Sequence, residues 1–314
     1  MNSRPIILGV VGDSAAGKTT ITRGLVRVLG EEHVAHICTD DYHRYDRRQR
    51  SEYGITPLHP DCNYLDIIGQ HLTHLRDGEA ILKPVYQHHD GTFGPPVYVQ
   101  PERFTLIEGL LGYYLPEMCD VYDVRVFLNP PEELRRRWKV SRDCSRRGYT
   151  TDQVLAELDR REPDSEAFIR PQRRFADMLV SFMLPDGTDD QDQMHLDAEL
   201  TLSDGLQHPD LGEFVNGDPE GLTLIDDDGA ARVLHIPGRM DPAHASAIEE
   251  AIWARMHFAT HLRARRLGEF TIGTELFRSE SLALVQLLIL YHLVTAKAAV
   301  ALGGNGARSD LAHL

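Results

Sequence analysis

Gly12-Asp13-Ser14-Ala15-Ala16-Gly17-Lys18-Thr19 is the stretch that decides the fold of this 314-residue chain. It follows the apolar run Ile6-Ile7-Leu8-Gly9-Val10-Val11 and precedes a segment with helical apolar spacing. The pattern GxxxxGKT between a buried strand and a helix is typical of a loop whose N–H groups surround phosphates. The sequence therefore predicts a nucleoside triphosphate site, with Lys18 at the outer phosphates and Thr19 on Mg²⁺. The predicted nucleotide-binding residues are Gly12, Asp13, Ser14, Ala15, Ala16, Gly17, Lys18, Thr19 and Thr20.

The formal net charge of −15 is concentrated in one segment of the chain. Residues 181–230 contain 14 Asp or Glu and no Lys or Arg. The rest of the chain therefore holds 34 of the 48 acidic residues and all 33 Lys and Arg residues. The remainder is nearly neutral, with basic clusters over 44–50 and 135–147 that can attract phosphates. The whole-chain balance argues against nucleic acid as a partner, since nucleic-acid binders usually carry a basic footprint.

Composition also bears on the cellular compartment. We find no apolar run that approaches the roughly 20 residues needed to span a bilayer, and no signal-peptide pattern before the first strand. The four cysteines are scattered and form no CxxC pair, which suits reduced thiols; they are Cys38, Cys62, Cys119 and Cys144. We therefore expect a cytoplasmic protein without a membrane partner.

The N-terminal part alternates short apolar strands with helical stretches. Strands are predicted over 6–11, 34–39, 104–107 and 124–128, and helices over 18–29, 64–77, 132–147, 151–161 and 168–178. This alternation predicts an α/β fold of the P-loop NTPase kind, with a doubly wound, mainly parallel sheet and helices on both faces. We assign residues 1–184 to this core and expect a lid at about 135–150.

The remaining residues, 185–314, are predicted to form an acidic β-rich segment and C-terminal helices that pack on the core. Turn signals occur at Asp186-Gly187, Asp204-Gly205, Asn216-Gly217 and Asp228-Gly229, and a hairpin is predicted around residues 226–229. The apolar stretch 282–300 is helical in spacing. It can pack either on the sheet or on a partner subunit.

A second site must tell kinases from other P-loop proteins. The second predicted strand ends in Cys38-Thr39-Asp40-Asp41-Tyr42-His43, with Arg47 close behind. A carboxylate beside the γ-phosphate, followed by an imidazole and a guanidinium, suits phosphorylation of a hydroxyl on an anionic substrate, and Asp40 sits where the general base belongs. The alternatives are a capping or surface role for Asp40 and a structural, hydrogen-bonded role for His43.

Several motifs in order resemble the phosphoribulokinase and uridine kinase family of P-loop kinases, and most closely its phosphoribulokinase branch of plant and cyanobacterial type. They are Gly12–Thr19, Asp40-Asp41-Tyr42-His43 with Arg47, the segments 83–88 and 107–110, and Lys139-x-x-Arg142-Asp143-x-x-x-Arg147-Gly148. The last spacing separates this branch from the uridine kinases. Residues 5–184 carry the resemblance densely, and the C-terminal third carries it loosely.

This resemblance implies ATP-dependent phosphorylation of D-ribulose 5-phosphate at its C1 hydroxyl, within the Calvin cycle, by a homodimer. It implies catalytic roles for Asp40 as base and for Lys18, Lys139 and Arg142, with Mg²⁺ held by Thr19 and Glu108. The implied substrate-binding residues are His43, Arg47, Tyr86, His88, Arg142, Asp143 and Arg147. Other interpretations stay open: a locally satisfied strand-end acid for Glu108, a packed aromatic for Tyr86, and a solvated basic helix for 135–147.

Other functions are compatible with a P-loop. A uridine-kinase-like nucleoside kinase, or a kinase of another sugar phosphate, is the nearest alternative, followed by a GTP-binding switch and a non-catalytic family member. The chain has no NKxD motif for guanine. It also departs from plant-type relatives, because Ala16 stands where they carry the loop cysteine that would pair with a residue at Cys38. Thiol switching of that kind is not expected here.

Overall fold

A computed structural model describes residues 3–185, 194–215, 221–227, 231–263, 267–272 and 274–306. The chain divides into two compact units. Unit 1 comprises residues 1–18, 32–128 and 135–175, and unit 2 comprises residues 19–31, 129–134 and 176–314. The division differs from the predicted boundary after residue 184, since the helix after the P-loop and the strand after residue 176 group with unit 2.

The helices and strands follow in chain order. The strands are β1 (Ile6–Gly12), β2 (Val34–Cys38), β3 (Ile81–Gln87), β4 (Thr92–Val99), β5 (Phe104–Gly109), β6 (Val124–Leu128), β7 (Met178–Met183), β8 (Asp197–Leu202), β9 (Thr223–Asp227), β10 (Ala231–Ile236), β11 (Glu269–Ile272) and β12 (Glu275–Arg278). The α-helices are α1 (Lys18–Leu29), α2 (Arg47–Tyr53), α3 (Leu65–Arg76), α4 (Pro116–Cys119), α5 (Glu132–Arg147), α6 (Thr151–Asp164), α7 (Pro242–Arg255) and α8 (Glu280–Ala301).

Unit 1 is built on parallel strands in the order β2-β5-β1-β6. Every residue of β1 is buried, as its continuous apolar sequence requires. The register pairs Cys38 with Glu108 and Val10 with Glu108, so the carboxyl ends of β2, β5 and β1 lie at one edge of the sheet. The predicted parallel α/β sheet is confirmed, and this edge carries the candidate site.

The predicted helix over 168–178 is wrong. A π-helical turn spans Ser165–Ile169, a 3-10 segment spans Arg170–Phe175, and β7 follows. Proline at 171 cannot donate the N–H of a regular helical turn. The buried Gln172 stabilises the segment instead, because its amide donates to Leu110 O and accepts from Tyr113 N, both at 2.8 Å.

Unit 2 contains antiparallel strands in the order β7-β8-β10-β9 and a separate β11–β12 hairpin. The predicted hairpin is confirmed in its two strands, β9 and β10, and the turn at 204–205 is present. The turn signals at Asp186-Gly187, Asn216-Gly217 and Asp228-Gly229 lie outside the described residues.

Helix α8 corrects the expectation about apolar runs. It has 22 residues, and an 18-residue window with mean hydropathy 1.7 makes it long and apolar enough, by length and composition only, to cross a membrane. However, 67% of that window is buried inside the structure, and core helices pass the same test. The buried Gln286 amide donates to Thr20 O at 3.2 Å and accepts from Gly268 N at 2.9 Å. These are the contacts of a core helix in unit 2.

Candidate active site

The P-loop connects β1 to α1 and contains backbone conformations that favour glycine. Gly17 has φ +96°, and Ala15 has φ +68° although it carries a side chain. The Lys18 ammonium donates to Gly12 O and Asp13 O, both at 2.8 Å. Burial lowers the pKa of Lys18, and nearby carboxylates, first among them Asp40, oppose that shift. A lysine so placed, with the loop N–H groups, is suited to bind phosphate oxygens.

Two neighbouring aspartates follow β2 and have different surroundings. The Asp41 carboxylate accepts from Tyr86 N at 2.9 Å and forms an ion pair with the buried Lys83. Within the described part of the chain, hydrogen bonds and an ion pair therefore fix the carboxylate of Asp41, whereas that of Asp40 interacts with its neighbours through their charges. Burial would raise the pKa of Asp40, but the basic groups of His43, Lys18, His88 and Arg142 lower it. Asp40 is ionised at neutral pH and available to a ligand.

His43 is buried and neutral at physiological pH. Its Nδ1 lies 2.8 Å from Asn63 Oδ1, whose orientation is fixed because Asn63 Nδ2 donates to two backbone carbonyls. Nδ1 must therefore carry the proton, and Nε2 is left with a lone pair that accepts. Burial lowers the pKa of His43 to about 4, despite the opposing charge of Asp40. The side chain is suited to a hydroxyl donor rather than to a phosphate.

The other predicted sugar-site residues lie on α2, β3 and the residues that follow β3. Arg47 is exposed, and its guanidinium donates to His88 O at 2.6 Å. Tyr86 is buried between the rings of His43 and His88, with centroids 4.9 and 5.1 Å away. Arg50, which sequence reasoning missed, is buried, donates to the Tyr86 hydroxyl at 2.5 Å and stacks on its ring at 5.0 Å. The contacts of Tyr86 within the protein are those of a packed aromatic.

Glu108 is the next-to-last residue of β5 and is a buried carboxylate. Its Oε1 lies 3.5 Å from His36 Nε2, and its charge acts on both Lys18 and Cys38. Thr19 is exposed at the start of α1. Carboxylate and hydroxyl oxygens are the donors that Mg²⁺ takes in proteins, usually together with substrate phosphates. The chemistry of Glu108 and Thr19 therefore fits the predicted metal.

Helix α5 places three cations around one buried carboxylate. Asp143 lies 2.9 Å from Lys139 Nζ, 2.9 Å from Arg142 Nε and 3.5 Å from Arg147. Lys139 and Arg147 are each four residues from Asp143, on adjacent helical turns, and Arg142 is its sequence neighbour. Burial would raise the pKa of Asp143, but these cations lower it. Gly148 then has φ +71° and separates α5 from α6. Asp143 thus contacts all three basic groups, and its role in orienting them for substrate stays a prediction.

The cations of α5 and the carboxylate of Asp40 share one electrostatic environment. Arg142 contributes to the lowered pKa of Asp40, and the Lys139 ammonium lies 3.2 Å from Ser14 Oγ in the P-loop. Burial lowers the pKa of Lys139 to about 8, and Arg142 adds to that shift. The structure therefore brings the P-loop, Asp40 and the α5 cations together within unit 1.

Asp13 has a role that the sequence did not reveal. Its buried carboxylate accepts from Ser14 N at 2.8 Å and from the Ser165 hydroxyl, and lies 3.6 Å from the guanidinium of Arg135. These partners come from the P-loop, the π-helical turn and α5. The only local signal for them was the unusually dense run of arginines at 135–137.

Comparison with known proteins finds relatives that belong to one family. A family model described as the phosphoribulokinase and uridine kinase family matches residues 7–187. The chain is 36% identical over 204 residues to a phosphoribulokinase of Synechocystis sp., covering 65% of this chain and 61% of that protein. It is 32% identical over 305 residues to a chloroplastic phosphoribulokinase of Arabidopsis thaliana, covering 85% and 75%. The match to the first curated relatives, from Synechocystis and wheat, spans 61% of their length.

Two further similarities bear on fold and on the alternative activity. A uridine kinase of Oceanobacillus iheyensis is 30% identical over 214 residues, which are 65% of this chain and 98% of that enzyme. The solved structure of a phosphoribulokinase from Rhodobacter spheroides superposes with a TM-score of 0.58 at 16% identity, covering 82% of this chain and 99% of that one. The latter similarity supports the fold alone.

Proposed function

The chain belongs to the phosphoribulokinase and uridine kinase family, and on that premise we propose that it transfers the γ-phosphoryl group of ATP to the C1 hydroxyl of D-ribulose 5-phosphate. The observation that carries the proposal is the environment of Asp40, which follows β2 at the carboxyl edge of the parallel sheet. Asp40 is an ionised carboxylate in the electrostatic field of both Lys18 and the lid residue Arg142. A base between a phosphate loop and a cationic lid is the arrangement that phosphoryl transfer to an alcohol requires.

The proposed reaction uses the residues of unit 1 as follows. Asp40 accepts the proton of the C1 hydroxyl while that oxygen forms a bond to the γ-phosphorus. The bond from the γ-phosphorus to the β–γ bridging oxygen breaks, ADP leaves with its electron pair, and the proton passes from Asp40 to solvent. Lys18, Lys139 and Arg142 stabilise the negative charge on the transferring oxygens.

The nucleotide and the metal are assigned to the P-loop side of the site. Residues 12–20 bind the phosphates of ATP through N–H groups and the Lys18 ammonium. Glu108 and Thr19 hold Mg²⁺, which neutralises phosphate charge when bound. Glu108 suits this role because it is a buried carboxylate at the carboxyl edge of the parallel sheet, beside the strand β1 that leads into the P-loop.

The sugar phosphate is assigned to His43, Arg47, Tyr86, His88, Arg142, Asp143 and Arg147. Arg47 and Arg147 are exposed guanidinium groups, which can each make two charge-assisted bonds to a phosphate. His43 accepts a hydrogen bond from a sugar hydroxyl, since its Nε2 carries a lone pair. This division assigns the phosphate to the arginines and a hydroxyl to the histidine.

The proposal extends to the setting of the enzyme. Relatives named phosphoribulokinase occur in Synechocystis and in plants, where they are called chloroplastic. We propose that this chain produces ribulose 1,5-bisphosphate for the Calvin cycle, as a homodimer in the cytoplasm, with neither nucleic acid nor membrane as a partner.

One assay tests the activity. ADP release is measured with ATP and Mg²⁺ against ribulose 5-phosphate, ribose 5-phosphate, uridine and pantothenate in parallel. We expect turnover with ribulose 5-phosphate at a kcat/KM far above that for the other three acceptors. Turnover of uridine without ribulose 5-phosphate would establish the alternative, which the 98% coverage of the Oceanobacillus uridine kinase keeps open. The lid cations favour the anionic acceptor, because a neutral nucleoside offers them no charge.

A further inference from the structure

Arg135 is a buried cation that the proposed reaction does not use. Its side chain is 5% exposed at the N-terminal end of α5, one helical turn before Lys139. Leaving a guanidinium in such a position is unfavourable unless hydrogen bonds and opposite charges replace its water. The contacts that replace its hydration therefore indicate the role of the Arg135 side chain.

Arg135 contacts two residues of the P-loop and one residue of α6. The guanidinium donates to Ser14 O at 3.0 Å and lies 3.6 Å from Asp13 Oδ1. On its other side it lies 3.8 Å from Glu162 Oε2. That oxygen is buried and accepts no hydrogen bond from the described residues, while Arg170 donates to the other oxygen of the same carboxylate, Oε1, at 2.6 Å.

The same two loop residues are fixed from other directions. Asp13 accepts from the Ser165 hydroxyl and from Ser14 N, and Ser14 Oγ lies 3.2 Å from the Lys139 ammonium. A cavity of about 10 Å³, the size of one water, lies among these side chains. It is lined by Asp13, Ser14, Leu58, Arg135, Leu158, Arg161, Glu162 and Ser165. The polar groups thus form one connected buried network.

We propose that Arg135 is a positioning residue that fastens the Asp13–Ser14 peptide of the P-loop to the base of the lid helix. Through this link the phosphate-binding conformation of the loop and the location of Lys139 depend on each other. Loss of the guanidinium lets the peptide turn, so that the loop N–H groups no longer converge on the phosphates. The inference rests on the proposed function only in requiring ATP as the phosphoryl donor.

The test measures ATP affinity without turnover, by titration calorimetry in the absence of sugar, together with the melting temperature. We expect Arg135→Gln to weaken ATP binding about tenfold, which corresponds to about 1.4 kcal/mol, and Arg135→Lys to recover part of the loss. The matched control is Arg136→Gln, since Arg136 is the next residue and pairs with the exposed Asp159 at 2.7 Å. This control should bind ATP as the wild type does.

Ser165→Ala keeps the inference testable where Arg135→Gln does not fold. It removes the hydroxyl that donates to Asp13 and leaves the buried charges in place, so we expect about threefold weaker ATP binding, a fraction of one hydrogen bond. Unchanged ATP affinity in Ser165→Ala and in a folded Arg135→Gln would overturn the positioning role, even if both melt at lower temperature. A wild type that binds no ATP would instead refute the proposed function.

Discussion

Units 1 and 2 differ in the kind of polar group that they bury. In the described part of unit 1, the buried charged side chains are Asp13, Arg50, Lys83, Glu108, Asp123, Arg135, Lys139 and Asp143. In the described part of unit 2, Asp177 is the buried charged residue, while Thr22, Ser279, Ser281, Gln286 and His292 are neutral. The difference is one of charge, since both units also contain a large apolar core.

Stability alone does not account for this difference. The penalty for burying one ion is several kcal/mol, and a buried ion pair is often no better than apolar packing. Asp123 is explained by structure, because it accepts from Arg4 and from Ile7 N in the middle of the fold. Most of the others lie around the P-loop, Asp40 and the lid. Buried charge is therefore concentrated in the unit that contains the proposed site, whereas the described part of unit 2 carries it at Asp177.

The sharpest way to break the comparison is to remove the charge of the proposed base. Asp40→Asn should leave ATP binding nearly intact and reduce kcat by about 10²-fold or more, because an amide cannot accept the hydroxyl proton. Steady-state kinetics with ribulose 5-phosphate, together with calorimetric ATP binding, measures both quantities. An unchanged kcat would remove Asp40 from the mechanism.

The adjacent carboxylate supplies a matched control. Asp41→Asn keeps the shape but weakens the ion pair with Lys83 and the bond to Tyr86 N. We expect a lower melting temperature and a higher KM for the sugar, with a smaller loss of kcat than in Asp40→Asn. Equal losses of kcat in the two variants would mean that the site does not distinguish the two carboxylates.

A second test uses the pH dependence of the lid. Lys139 has a pKa lowered to about 8, so it is a cation below that pH and loses its charge as pH rises through it. We expect kcat/KM to fall above about pH 8, and Lys139→Arg to shift this alkaline limb upward, since arginine stays protonated. Lys139→Met should lose about tenfold in kcat at neutral pH. A limb that stays in place in Lys139→Arg would assign it to another group.

Asp143 allows a smaller test of the same electrostatics. Its charge raises the pKa of Lys139, against the effects of burial and Arg142. Asp143→Asn should therefore move the alkaline limb of kcat/KM to lower pH and raise the KM for the sugar, because the three cations lose their common partner. The measurement is a pH profile beside that of the wild type. An alkaline limb at higher pH would contradict the arrangement seen in α5.

Local sequence patterns were sufficient to predict the strands of the parallel sheet and two of the helices beside it. The strands of the parallel sheet and helices α1 and α5 follow from apolar periodicity and from the GxxxxGKT pattern, and their observed bounds agree closely with the predicted ones. The segment 168–178 could not be predicted in this way. Its π-helical turn begins at Ser165, whose hydroxyl bonds to Asp13, 152 residues earlier in the chain.

The members of the candidate site were proposed from the sequence and their roles stay predictions, whereas their contacts within the protein could not be predicted. Asp40, His43 and the lid cations were singled out from residue type and spacing. The pairing of Lys83 with Asp41, 42 residues apart, and that of Arg135 with Ser14, 121 residues apart, depends on tertiary structure. A single sequence shows no local signal for such contacts, and so the ion pair that holds Asp41 is known only from the three-dimensional structure.

The smallest expected effect concerns unit 2 and its neutral buried groups. His208 Nε2 donates to Ser203 O, so His208 Nδ1 accepts from His292 Nε2, each at 2.9 Å. Asp177, Asp204 and Arg232 face His208. Burial lowers the pKa of His292 from 6.5 to about 3, so between these values the unfolded chain binds the proton and the folded chain does not. The free energy of unfolding should therefore fall as pH drops below 6.5.

His292→Gln should reduce that dependence of the free energy of unfolding on pH, measured by urea unfolding, without changing kcat at neutral pH. His74→Gln, at an exposed histidine of α3, should keep the wild-type slope. An unchanged slope in His292→Gln would show that the neutral histidine pair does not control the acid stability of unit 2.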